Sequence, residues 1–299
     1  MNPAITGGLI QWPPLVSALM ICGSGAAIIL IGGRGRYSEC AEDAGYARFS
    51  ARIDRLWTIL AMIALIGAPI AMLADVARMA AVPIGAAVPL VGEVVRLTHA
   101  GRLWLSRIGF VTLTAVVAIA IPRGVRIKPA ALFCLAAGTL SATCIAGHAI
   151  DRGNFAVAVC IAHLLAAALW IGSLVTLLCA AGGTSAIDSL IARMAPRVSQ
   201  IAGWSVAALI GTGGYMAWLA LGATPASLIY SSWGRTLLVK IAVFLAIVIT
   251  GGYNRYRLVP AVAAGQARST LIRNVGIECA LLGGVIALAA VLANTPPPH

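Results

Sequence analysis

Charge is what this chain has least of. Only 10% of its 299 residues are charged, and only 9 are acidic. An ordinary soluble domain carries about 25%. So little charge cannot coat a soluble globule of this length. Aromatic residues are also sparse, at 6%. With long runs of Ala, Leu, Ile and Val, that scarcity argues against an outer-membrane barrel, whose strands alternate every second residue. Disorder is excluded as well, because 61% of the residues are hydrophobic and the mean hydropathy is +0.97. No GxxxxGK[ST] phosphate loop and no large polar insertion occur, which excludes an ATP-driven pump within this chain. The composition specifies an all-α, polytopic membrane protein.

Apolar runs long enough to cross a bilayer fall at residues 13–32, 56–74, 103–121, 129–149, 155–180, 200–221, 235–252 and 273–293, which makes eight spans. Met1 to Pro14 carries no charge, so the first run lacks the basic region of a cleavable signal and reads as a retained span. Positive charge, net +12, divides unevenly. One set of loops holds 14 Lys and Arg, the opposite set 5. Basic loops stay inside, so both termini are expected in the periplasm. The charge is matched to the lipid bilayer and not to nucleic acid.

The chain repeats a short element. Thr98-His99-Ala100-Gly101-Arg102 leads to Arg107, and Ser231-Ser232-Trp233-Gly234-Arg235 leads to Lys240. Each opens a span, and the two lie four spans apart. They suggest two parallel four-helix repeats, residues 1–149 and 150–299, within one membrane domain. Arg107 and Lys240 lie inside spans, where ionisable groups either serve a pathway or snorkel to the headgroups.

Several further stretches carry a family resemblance. They are Gly147-His148-Ala149, the run His163-Leu164-Leu165-Ala166-Ala167-Ala168-Leu169-Trp170-Ile171-Gly172, Gly234-Arg235 through Lys240, Tyr253-Asn254-Arg255 with Leu258 and Pro260, Glu278, and the Thr295-Pro296-Pro297 ending. In order and spacing they resemble the CopD copper-resistance family. The resemblance implies a bacterial inner-membrane protein of copper homeostasis. It also implies copper transport and work beside a periplasmic copper-binding protein of the CopC type. On that footing Asn254, Arg255 and Glu278 join Arg102, Arg107, Arg235 and Lys240 as candidate pathway or structural charges.

Four histidines are present: His99, His148, His163 and His299. Imidazole and thiolate both suit copper, as Cu(I) or Cu(II). Cys144 and His148 are spaced to share one helix face, as are Cys160 and His163. Across a hairpin centred on Arg152 the two cysteines lie level. A descending ladder follows: His148, then Cys144 with Cys160, then His163. None of the seven cysteines forms a CxxC or a disulfide framework, so free thiols are expected. His99 in the outer loop is a candidate capture site. Asp151 and Asn154 stand beside His148 in the outer turn. Uptake toward the cytoplasm is the expected direction, since the membrane potential draws cations inward. The alternative is a b-type cytochrome with His148 and His163 as axial ligands of haem b.

Overall fold

The computed structural model describes residues 3–32, 44–147, 150–181, 185–222 and 226–295. Among these it forms no strand. Eight helices are long and apolar enough to cross a membrane. They are α1 (Pro3–Gly32), α2 (Ala44–Met79), α3 (His99–Ala120), α4 (Ile127–Ala146), α5 (Asn154–Ala180), α6 (Ser185–Leu221), α7 (Ser232–Tyr253) and α8 (Arg268–Ala293). The apolar runs therefore locate every span. Several helices outrun them. α2 begins at Ala44 and carries Arg48, Arg52 and Arg55 before its apolar stretch. A hydropathy window marks where lipid is met, not where helical hydrogen bonding stops.

α1 is the hub. It packs against α2, α4, α5 and α8, and Leu19, Ile21, Cys22 and Ala27 on it are buried. Its contact with α5 is made backbone to backbone. A Cβ on Gly23 would fall 1.6 Å from the Ala168 carbonyl oxygen, and one on Gly172 would fall 2.2 Å from Gly23. In lipid no hydrophobic force drives one helix onto another, so such close approach of small residues is what holds them. Ser24 sits beside this crossing and accepts the Trp57 indole N–H from α2 at 2.8 Å.

The repeated hydroxyl-x-x-Gly element proves to be a helix start. Thr98 caps α3 by accepting from the Gly101 N–H at 2.9 Å, and Ser231 caps α7 by accepting from the Gly234 N–H at 2.9 Å. A short helix precedes each cap, Val91–Leu97 in one case and Ser227–Tyr230 in the other. Each glycine lets that short helix lie against its own: a Cβ would come 2.3 Å from the Val94 oxygen at Gly101, or 2.3 Å from the Leu228 oxygen at Gly234. The two Gly-Arg elements are thus built alike, and both open helices that run the same way through an alternating bundle.

Polar side chains inside the bundle are paired across helices. The Lys128 ammonium on α4 donates to Asp54 on α2 and, at 2.8 Å each, to the carbonyls of Ala118 and Ile121 at the end of α3. The sequence places Lys128 in a loop; the structure buries it, because three acceptors satisfy its three protons. Gln11 on α1 donates to Asp75 on α2 at 2.8 Å and accepts from Asn294 beyond α8 at 3.0 Å. α4 and α5 are joined covalently by a disulfide between Cys144 and Cys160, near the face where the chain termini lie.

Two outcomes test this architecture. Gly172→Ala should destabilise the protein by about 1–3 kcal/mol through overpacking, read as a lower thermal midpoint in detergent. Gly214→Ala, with nothing within 4 Å of the added carbon, should leave the midpoint unchanged or raise it. For the disulfide, maleimide labelling of the denatured protein should find two more thiols after reduction than before, and Cys144→Ser should abolish the difference.

Candidate functional site

The expected ladder is only partly present. His148 and His299 lie outside the described residues. Cys144 and Cys160 do lie level across the hairpin, as the spacing requires, with Cα atoms 5.8 Å apart. That same closeness joins them to each other. In the disulfide form neither sulfur is a thiolate, so the expectation of free thiol ligands is corrected. Among the described residues no three His, Cys, Asp or Glu side chains come together as a preformed metal cluster. His99 is exposed at the first turn of α3, with Arg102 exposed beside it.

Among the described residues, His163 is the one histidine inside the bundle. It lies nine residues into α5, about 14 Å along the helix axis. It faces α6, where a Cβ on Gly213 would meet the ring carbon Cε1 at 3.3 Å. Thr212 supplies its partner: His163 Nδ1 and Thr212 Oγ1 are 2.9 Å apart. The hydroxyl has one proton, which it donates to the Ala208 carbonyl at 2.6 Å. With the hydroxyl proton on that carbonyl, Thr212 Oγ1 accepts from the ring at Nδ1, and in that tautomer Nε2 keeps its lone pair. Lys240 on α7 lies within electrostatic reach of the ring. Thr212 was not foreseen from sequence. Of the glycines beside it, Gly213 alone makes a close approach, to the His163 ring.

Below His163, Trp170 continues the same face of α5 seven residues on. It is 2% exposed and meets Phe244 of α7 edge to face, with ring centroids 5.8 Å apart. Beyond this pair, toward the opposite face, α5, α6, α7 and α8 line a half-open cavity of about 500 Å³. Its walls include Trp170, Leu174, Ser199, Gly203, Asn254 and Glu278.

Glu278 is 2% exposed. Its hydrogen-bond partner is Asn254, whose Nδ2 donates to Glu278 Oε1. Asn274 Nδ2 in turn donates to Asn254 Oδ1 at 2.9 Å. Arg255 turns away and donates to the Ser199 carbonyl at 2.7 Å. Asn254 opens a π turn, Asn254–Leu258, that follows α7. Pro260 explains the turn, since it cannot donate to a carbonyl one turn back and its ring crowds that position.

The other intramembrane charges divide. Arg107 lies over the Trp104 ring, 3.7 Å from its centroid, and its Nε is buried with no hydrogen-bond partner among the described residues. Arg235 is exposed at the start of α7. The repeat element thus carries its two inner cations into unlike surroundings, an aromatic ring for Arg107 and a histidine for Lys240.

Comparison with known proteins agrees with this picture. Residues 9–154 match the family description of a copper resistance protein D-like N-terminal domain, and residues 192–292 match that of copper resistance protein D. Inner membrane protein YebZ of Escherichia coli (strain K12) is 27% identical over 223 residues, covering 70% of this chain and 73% of the relative. No solved structure matches the chain. The two matches stand in order and leave residues 155–191 between them; the chain belongs to the copper resistance protein D family and is a membrane protein of copper biology.

Proposed function

We propose that the protein moves copper ions across the bacterial inner membrane, with His163 as the ligand that receives copper inside the bundle. The observation that supports this most is the Thr212 hydroxyl 2.9 Å from His163 Nδ1. An imidazole in an apolar helix is costly unless it is partnered. Here the partner takes Nδ1 and leaves Nε2 as a neutral donor, the arrangement by which an outer hydrogen bond orients a metal-binding histidine. Lys240 suits a transport role. A fixed cation near the ring weakens the hold on a bound metal ion, and conduction needs sites weak enough to release what they bind.

Two separate features support an orientation with both termini in the periplasm. The basic residues favour termini in the periplasm. The Cys144–Cys160 disulfide lies near the terminal face, and disulfides persist where the compartment is oxidising. Copper then arrives from a periplasmic protein of the CopC type at the face bearing His99, passes His148 and reaches His163, drawn inward by the membrane potential. Transport, and not catalysis of a reaction, is the activity this arrangement serves.

The test is copper accumulation in cells at matched membrane levels of protein. His163→Ala should abolish the transported component. Thr212→Val keeps the shape but removes the orienting oxygen. It should weaken copper affinity by about tenfold or more, the usual cost of losing an orienting partner. Wild-type accumulation by His163→Ala would refute the proposal.

A further inference from the structure

The cavity on the far side of the Trp170–Phe244 pair poses a separate question. Glu278 lies ten residues from the start of α8, about 15 Å along the helix axis. No described Lys, Arg or His pairs with it. One carboxylate oxygen, Oε1, accepts from Asn254. The other, Oε2, faces Gly251, where even an added Cβ would stand 3.6 Å away. A carboxylate buried without a counter-charge is costly. Nature resolves that cost with a bound cation or with a proton.

The donor set decides between the two. A metal ion needs several oxygen, nitrogen or sulfur ligands, and here a single carboxylate oxygen is free. Asn254 turns its N–H toward the carboxylate, and its own oxygen is occupied by Asn274. Arg255 and Tyr256 are exposed where the cavity meets the opposite face, and α6 contributes Ser199 and Gln200. Cys279 follows Glu278 on α8, and α5 contributes only Trp170, Leu174 and Leu177 to the walls. A proton requires only one lone pair and a way in, and the cavity reaches from Glu278 to the exposed Arg255 and Tyr256.

We propose that Glu278 is a proton-binding station, loaded from the opposite face through this cavity and sealed from His163 by the Trp170–Phe244 pair. The step is a simple balance: a proton from water enters the Oε2 lone pair, the carboxylate becomes a neutral carboxyl, and the reverse step returns the proton to the same water. No electrons move. The proposal deepens the transport reading by naming the coupled ion, and it rests on that reading only for the coupling.

The deciding experiment is infrared difference spectroscopy of the purified full-length protein across a pH series, in wild type, Glu278→Gln and Glu278→Asp. Glutamine keeps an oxygen for the Asn254 N–H. The wild type should show a protonated-carboxyl band that titrates and shifts in heavy water. Glu278→Gln should lack it, and Glu278→Asp should show it displaced. A spectrum unchanged by Glu278→Gln would overturn the proposal. So would a band removed by sodium or copper ions at fixed pH, which would make the cavity a metal-cation site. In liposomes, copper uptake by the wild type should move protons, and Glu278→Gln should bind copper normally without that movement. Copper movement by the wild type with no accompanying proton signal would overturn the coupling. If the wild type binds no copper at all, the transport reading fails, and the infrared result still decides the station.

Discussion

The close crossing of α1 and α5 at Gly23 and Gly172 is the constraint on which the other contacts depend. Both helices begin on the terminal face, so the contact sets two parallel rods side by side at van der Waals distance of their backbones. Around that pair the remaining helices find their places. α2 is pinned to α1 by the Trp57–Ser24 hydrogen bond, and α6 by Arg197, whose guanidinium donates to the Ile31 carbonyl in the last turn of α1. α8 is tied to α1 by the Trp12 indole, which donates to the Gly283 carbonyl at 3.0 Å. In lipid such hydrogen bonds and close packing replace the hydrophobic drive that folds a soluble core. α5 is held on one side by α1 and on the other by α6. Its His163 face is therefore presented to Thr212 in a fixed register.

α5 and α7 then set out a path by periodicity alone. Along α5, His163, Trp170, Leu174 and Leu177 share one stripe; along α7, Lys240, Phe244, Gly251 and Asn254 do the same. Polar groups stand at both ends and two aromatic rings in the middle. Each polar group is satisfied with one atom to spare: Nε2 on His163, Oε2 on Glu278. The spare atoms are where chemistry with mobile ions becomes possible, and the Trp170–Phe244 ring pair stands between them.

Much of this was legible in the sequence. Long apolar runs mark spans because the bilayer demands them, and the level placement of Cys144 and Cys160 followed from equal spacing about Arg152. What that placement meant was not legible: the spacing read as free thiols, and the structure joins them in a bond. The repeated Thr98 and Ser231 elements were visible as a pattern, but their work as helix caps for packed short helices required coordinates. Partnerships between distant helices were invisible for a plain reason. Lys128 with Asp54, and His163 with Thr212, are 74 and 49 residues apart, and no local period reports which faces of which helices meet. Glu278 was visible as an isolated acid. Its choice of Asn254 over Arg255 depends on the π turn before Pro260, which redirects both side chains.

The central claim is that copper inside the bundle is held by the unprotonated nitrogen of His163. X-ray absorption of the copper-loaded, purified protein tests it directly, comparing wild type with His163→Ala at equal occupancy of the remaining sites. An imidazole nitrogen in the copper shell that disappears in the variant is the predicted result. An identical copper shell in both proteins would contradict it.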